Sequence, residues 1–408
     1  MLLKFEMKKL IRKRSVGLLS LATLIVTTVL TLLPLLSAQY YTQDAMSTGL
    51  QAVKQEKKIT LENAALLTDT NVEEVIRQVQ SLYRNAAHTS SQGGSEYLEG
   101  SAYWQNIAPK EGMLNLIAKA YAPISQTVDY SWLNTLDLSA EPLFYQKIDD
   151  QRRQLVSQPG RHLSAAQQEF WLKKAAGIQI PFEYSWFKGW SWISSSMELM
   201  IICILLICLI LIPVFSQEYS SGMDSLILGS KFGKNRLVRA KIAAAYLTGT
   251  ALFLVNVLVM AIISLGCYGM EGWNLPIQTA NPFIPYPITF WQADLISLGL
   301  CLCVLWGMIG LSLFFSAAFK SSYQAAVLAI LIGLVPVFLM PSSTAGFLNK
   351  ILYLMPYQAL IPDFAKYLTY QLGPFILDGA SVKALLYLLV TMISVPAAAA
   401  KFRRHIPA

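Results

Sequence analysis

The chain has 408 residues, 54% of them hydrophobic and only 14% charged, with a net charge of +8. Soluble domains carry about 25% charged residues, so this deficit and the repeated long apolar runs exclude an ordinary soluble domain and place the chain in the membrane class. The charge is uneven: residues 38–192 hold 14 Lys and Arg against 16 Asp and Glu, net −2, and the remainder holds 18 against 8, net +10.

A spanning helix needs about 20 mostly apolar residues. Six such segments are read along the chain, at 16–36, 197–215, 242–265, 295–315, 323–340 and 385–400. Residues 1–37 form an amphipathic basic helix and the first span. That span follows Lys4, Lys8, Lys9, Arg12, Lys13 and Arg14, as a signal peptide would, but its apolar run exceeds the usual 7–15 residues of such a leader. Ser37-Ala38-Gln39 is a cleavage-like site, so a cleaved leader stays as the alternative.

The segment 38–192 is long enough for a small domain. Residues 44–88 read as a helix, with Val72, Val75, Ile76, Val79 and Leu82 on one face and Thr70 or Asn71 as a cap. A breaker cluster at 89–95 ends it. Further helices are expected at 110–121, 142–156 and 164–176, the last with Ser164 as N-cap and Gln167 as its capping-box partner. The segment contains no cysteine, which excludes a disulfide-stapled domain. Cys203, Cys208, Cys301 and Cys303 lie inside apolar runs and Cys267 at a helix end, as small packing residues. The segment reads equally as a lid over the membrane core or as a shielding insertion. Trp186, Trp190 and Trp192 before the second span, and Trp273, Tyr286 and Trp291 between spans three and four, are expected at the outer headgroup level.

Residues 193–408 hold the other five spans, with a polar loop at 216–241 and an outer hairpin at 341–383. Lys231, Lys234, Arg236, Arg239 and Lys241 follow the second span, Lys320 the fourth, and Lys401, Arg403 and Arg404 the sixth. With the N-terminal six, 15 cations share one set of alternating segments with three acids, Glu6, Glu218 and Asp224. By the positive-inside rule both termini are cytoplasmic and 38–192 is extracellular. Helix four carries Ser297, Gly299, Cys303, Gly307 and Gly310, small residues suited to a close helix seam within or between subunits. The hairpin, interrupted by Pro356 and Pro362, is too short to span and reads as re-entrant or interfacial. The expected fold is thus an all-α membrane protein with six transmembrane helices and a mostly helical extracellular domain between the first and second.

No catalytic set is visible. There are three histidines, His88, His162 and His405, and neither a His-Glu-x-x-His nor a Gly-x-Ser-x-Gly motif. Gly229-Ser-Lys-Phe-Gly233-Lys234-Asn235 is one residue short of a phosphate loop and has Asn235 where the magnesium-holding hydroxyl belongs. Glu198 and Asp294 sit at outer helix ends, where a solvated carboxylate is the plain reading.

The polar loop resembles the coupling segment of ABC-2 type transporter permeases. Glu218, Gly222, Arg236 or Arg239, and Ala240-Lys241 match in order the family's Glu-x-x-x-Gly, short helix, Arg and Ala-Lys at the next span. Phe5-Glu6-Met7-Lys8-Lys9-Leu10-Ile11-Arg12-Lys13-Arg14 resembles the family's basic amphipathic N-terminal helix. A Ser/Thr-Pro turn common in the family is replaced by Lys231-Phe-Gly-Lys-Asn, and the likeness does not extend to 38–192. The resemblance implies a plasma-membrane permease subunit that exports an amphipathic peptide, antibiotic or lipid. It implies no ATPase site or cofactor in this chain: ATP and Mg belong to a cytoplasmic ABC ATPase partner, and a second permease copy or paralogue completes the transporter. The bilayer is a partner and nucleic acid is not. Glu218, Gly222, Arg236, Arg239 and Lys241 become the candidate ATPase-coupling residues. The rival reading is a membrane sensor or assembly factor that binds an external ligand through 38–192.

Overall fold

The computed structural model describes residues 2–85, 89–92, 95–230, 233–339, 341 and 346–405. Helix α1 (Leu2–Ile11) leads into α2 (Arg14–Leu36). The extramembrane segment follows with α3 (Gly49–Glu62), α4 (Asp69–Asn85), α5 (Gly100–Asn106), α6 (Glu111–Tyr121), α7 (Phe144–Ser157) and α8 (Ala165–Ala175). Then come α9 (Lys188–Ser196), α10 (Met200–Leu211), α11 (Pro213–Ser220), α12 (Met223–Gly229), α13 (Val238–Tyr268), α14 (Phe290–Ala318), α15 (Ser322–Phe338), α16 (Phe347–Leu352), α17 (Pro356–Ala359) and α18 (Gly379–Arg403).

Among the described residues, five helical stretches are long and apolar enough to cross a membrane: Arg14–Leu36, Lys188–Ser220, Gly233–Tyr268, Phe290–Ala318 and Gly379–Arg403. The protein is a membrane-embedded, multi-pass, mostly helical chain. The expected span at 323–340 is α15, an apolar helix of 17 residues that rises about 25 Å, short of a hydrocarbon core of about 30 Å. Met340 lies outside the described residues.

Helix α2 turns polar residues inward and apolar ones outward. On α2, Thr23, Thr27 and Thr31 recur every four residues and are buried, while Leu18, Leu21, Ile25, Val29 and Leu33 are exposed. Thr27 donates to Asn256 Oδ1 of α13 at 2.9 Å, and Asn256 Nδ2 donates to Thr23 at 3.1 Å. In lipid, polar groups find partners only on neighbouring protein, so this stripe sets which face of α2 meets α13. The small residues of α14 do the same for α18. A Cβ on Gly307 would lie 2.7 Å from the Tyr387 ring, and one on Gly310 would lie 2.1 Å from Ser394 Oγ. The seam is therefore within the chain.

The all-α expectation needs a correction: among the described residues, four two-stranded antiparallel ladders accompany the helices. They are β1 (Gln39–Tyr41) with β2 (Met46–Thr48), β3 (Ala65–Leu66) with β6 (Glu183–Tyr184), β4 (Thr89–Gln92) with β5 (Ser95–Leu98), and β7 (Thr369–Leu372) with β8 (Phe375–Asp378). The helix expected at 44–88 is two helices, with β2 before them and β3 between them. Asn63 Nδ2 turns back to Ile59 O at 2.8 Å to close α3. Thr68 Oγ1, not Thr70 or Asn71, accepts the Asn71 N–H at 3.1 Å to open α4. His88 lies outside the described residues. The capping box at Ser164 and Gln167 is present on α8.

The extramembrane body has one core. Ile76, Ile117, Leu133, Phe144 and Trp171 from residues 65–190 pack with Leu275, Ile277, Phe283 and Tyr286 from the connection between α13 and α14, and with Tyr367 from the segment before α18. The expected hairpin at 341–383 consists of the short α16 and α17 followed by the β7–β8 ladder; residues 342–345 of it lie outside the described residues. Trp186 is buried rather than set at a headgroup surface, and donates to Tyr268 O at 2.6 Å. Trp273 is exposed.

Candidate functional site

The second apolar run does not give way to a loop at Phe215. Pro213 interrupts the helix, and α11 carries it on to Ser220, so Glu218 sits in the last turn of a helix. Proline removes a backbone donor from the helix. Next to it α14 braces the backbone: Ser316 Oγ donates to Ile212 O and accepts from the Phe215 and Ser216 N–H groups at 3.0 and 3.1 Å.

At this end of the molecule four charged side chains from three elements meet. Lys241 Nζ of α13 lies 2.7 Å from Glu218 Oε1 and 3.0 Å from Glu6 Oε2 of α1. Lys9 Nζ, three residues from Glu6 and so on the same face of α1, lies 2.7 Å from the same Glu218 oxygen. Lys13 donates to Gln217 Oε1. The Lys241 side chain is 2% exposed and those of Glu6 and Glu218 are each 6% exposed. A lone ammonium at that depth would be strongly disfavoured; two carboxylates offset it, and a second lysine balances the set.

Gly222 joins α11 to α12 at φ 65°, ψ 11°, the left-handed region, with open space where a Cβ would stand. Its role is conformational freedom rather than room. Helix α12 then points Asp224 and Leu228 inward and leaves Met223 and Leu226 46% and 68% exposed. The return to α13 is a π-type turn, Gly233–Leu237. Gly233 is buried there, and a Cβ on it would fall 1.7 Å from Ile227 O.

Of the expected site residues, Glu218 and Lys241 are brought together. Gly222 shapes the turn. Arg236 and Arg239 are exposed, on the π-type turn and the first turn of α13. Lys231 lies outside the described residues. The basic stretch is thus divided, Lys241 inward and the arginines outward.

Sequence reasoning missed Glu6 and Lys9 as members of the cluster and His405 as the neighbour of Asp224. The three acids scattered among the basic segments, Glu6, Glu218 and Asp224, are all buried, and each has a cationic or imidazole neighbour. Asp224 Oδ2 lies 3.1 Å from His405 Nε2. The end of α18 clamps the loop: the His405 and Phe402 rings lie 4.2 and 5.6 Å from that of Tyr219, and Arg403 Nε donates to Lys234 O at 2.9 Å. The scarcity of acids in a basic setting was the available signal.

The opposite end holds two further constellations. Lys383, in the first turns of α18, is fully buried and donates to Gln358 O, Ile361 O and Asp363 Oδ2 at 2.9, 2.6 and 2.6 Å. Lys366 pairs with the other Asp363 oxygen at 2.7 Å. Asp378 caps α18 by accepting the Ser381 N–H at 2.8 Å and pairs with Lys174 of α8. Burial opposes ionisation of Asp378, but hydrogen bonds from Lys174 and Ser381 hold its carboxyl below the usual carboxylate range. Asp294 is buried, not solvated as its helix-end position suggested, and accepts from Ser194 Oγ. Among the described residues no cluster of His, Cys, Asp and Glu is placed to hold a metal ion.

The architecture defines a multi-pass helical membrane protein with a buried charge cluster beneath a short exposed helix. No family model, characterised protein or solved structure matches the chain.

Proposed function

We propose that this chain is the membrane subunit of an ATP-driven exporter of the ABC-2 type, with α12 as the element on which a separate cytoplasmic ATPase acts. The carrying observation is the Glu6–Lys9–Glu218–Lys241 cluster, which ties α1, α11 and α13 together next to a seven-residue helix with Leu226 exposed. A motor that closes on ATP needs a rigid part to push. Charges buried at hydrogen-bond distance resist separation, so a displacement of α12 passes to the helices on either side rather than being absorbed at the turn. In this reading α15 is a sixth, short span, which a bilayer accommodates by local thinning. Both termini are cytoplasmic in the plasma membrane, the body at 38–192 is extracellular, and a second permease copy or paralogue completes the path. The ATPase partner supplies ATP and Mg. The cargo class is amphipathic: a peptide, antibiotic or lipid.

The test is purification of the full chain from its native membrane in mild detergent. A stoichiometric ABC ATPase is expected to travel with it. Leu226→Glu should lower its recovery at least about tenfold, as for a hot-spot residue, without changing membrane insertion. Glu218→Ala should keep the ATPase bound while uncoupling hydrolysis from transport. Preparations free of any ATPase in several mild detergents would overturn the reading and turn attention to ligands of 38–192.

A further inference from the structure

A groove at the basic end lies between the ends of α14 and α18, with Tyr219 of α11 at its side; none of the four residues of the charge cluster lines it. Its volume is about 530 Å³, within the roughly 300–1,000 Å³ typical of ligand sites. Its apolar lining comes from Phe314 and Ala317 of α14 and Ala397 and Ala400 of α18. Its charged lining comes from Lys320, Lys401 and Arg404, all exposed and without an acidic partner among the described residues. His405 also lines it but faces the carboxylate of Asp224, so the three other cations set the sign of the groove.

Cations are favoured at helix C-termini by the helix dipole and on one side of a membrane by the insertion rule. Neither effect calls for a concave apolar wall beneath them. We propose that this groove binds an anionic phospholipid, with its phosphate among Lys320, Lys401 and Arg404 and the start of an acyl chain along Phe314 and Ala397. Phe314 and Ala397 lie four and six residues inside the ends of their helices, about 6–9 Å along the axis, where the headgroup layer gives way to hydrocarbon. An acidic protein surface would satisfy the cations but would not reach that depth. Basic pockets between membrane helices on the basic side suit such headgroups. The inference rests on membrane embedding alone and stands whether or not the chain is a transporter.

The test is native mass spectrometry of the full chain in mild detergent, titrated with dioleoylphosphatidylglycerol, dioleoylphosphatidylcholine or glycerol 3-phosphate. One phosphatidylglycerol should be retained at concentrations where phosphatidylcholine is lost, and glycerol 3-phosphate should not displace it. The triple variant Lys320→Gln, Lys401→Gln, Arg404→Gln should weaken retention on the order of a hundredfold. Ala397→Trp, which fills the groove without changing charge, should also abolish it and gives a separate reading if the triple variant does not fold. A control, Lys4→Gln, Lys8→Gln, Arg12→Gln, removes the same charge from exposed N-terminal positions and should bind as the unmodified protein does. Equal retention of the two lipids, equal loss in both triple variants, or retention unchanged by Ala397→Trp would overturn the proposal. So would displacement by glycerol 3-phosphate, which would mark a small-phosphate site, or loss in the groove variant of only a co-purifying acidic protein, which would mark a docking surface.

Discussion

Lys383 has three ammonium hydrogens and gives all three to protein oxygens, two carbonyls and the Asp363 carboxylate. Asp363 itself stands at φ 56°, a conformation that side chains other than glycine seldom adopt. Lysine and aspartate hold the chain between α17 and β7 against α18. Lys383→Met keeps the aliphatic length but strips Ile361 O of its ammonium donor and leaves one side of Asp363 bare, while Gln358 O keeps the Ile361 N–H. Breaking a buried pair from one side costs about 3–5 kcal/mol; the remaining Lys366 contact puts the expectation at the low end. Thermal unfolding in a fixed detergent should show the loss, and an unchanged midpoint would mean that water already reaches this site. Such pairs were only half legible. Glu218 and Lys241 stand out in the sequence as charges beside apolar runs, but Lys383 and the α1 members of the cluster do not: Glu6 and Lys241 are 235 residues apart, and nothing local links them.

The membrane helices were readable because lipid imposes a length and a composition on each. Their ends were not, since end residues are polar and look like loop. Gln217-Glu218-Tyr219-Ser220 is helical because neighbours hold it: Lys13 bonds Gln217, Lys9 and Lys241 bond Glu218, and Tyr219 Oη donates to Ala317 O at 3.0 Å. Strands of two to four residues are likewise too short to show a period of two. The glycines of α14, in contrast, announced a close seam, but not that α18 fills it. Gly310→Ala gains up to about 1 kcal/mol of helix propensity, but its methyl meets Ser394 Oγ and Tyr246 Oη, and overpacking costs about 1–3 kcal/mol. The single variant should melt lower than the unmodified protein. Adding Ser394→Ala removes the nearest obstructing atom and should recover most of the loss; failure of that rescue would place the clash elsewhere.

The extramembrane body is assembled from three separate stretches of chain, and Lys174 with Asp378 links the first to the last. Because the carboxyl of Asp378 is held below its ordinary value of 3.8, its contribution is complete above that value and fades as the pH falls through the lower folded-state value. Asp378→Asn should therefore lower the melting temperature at pH 7, and the gap should narrow as the pH falls below 3.8. A gap that persists in acid would assign the effect to capping alone. Composition marked this body out by its charge balance, but nothing in residues 38–192 announces that Leu275, Phe283 or Tyr367 complete its core. That arrangement has a consequence during translation. Lys174 leaves the ribosome 204 residues before the aspartate it pairs with, an interval of roughly 10–40 s at ordinary elongation rates. Through that interval the nascent body waits, with Trp171 lacking the Tyr367 ring that meets it, until the segment before α18 has been made.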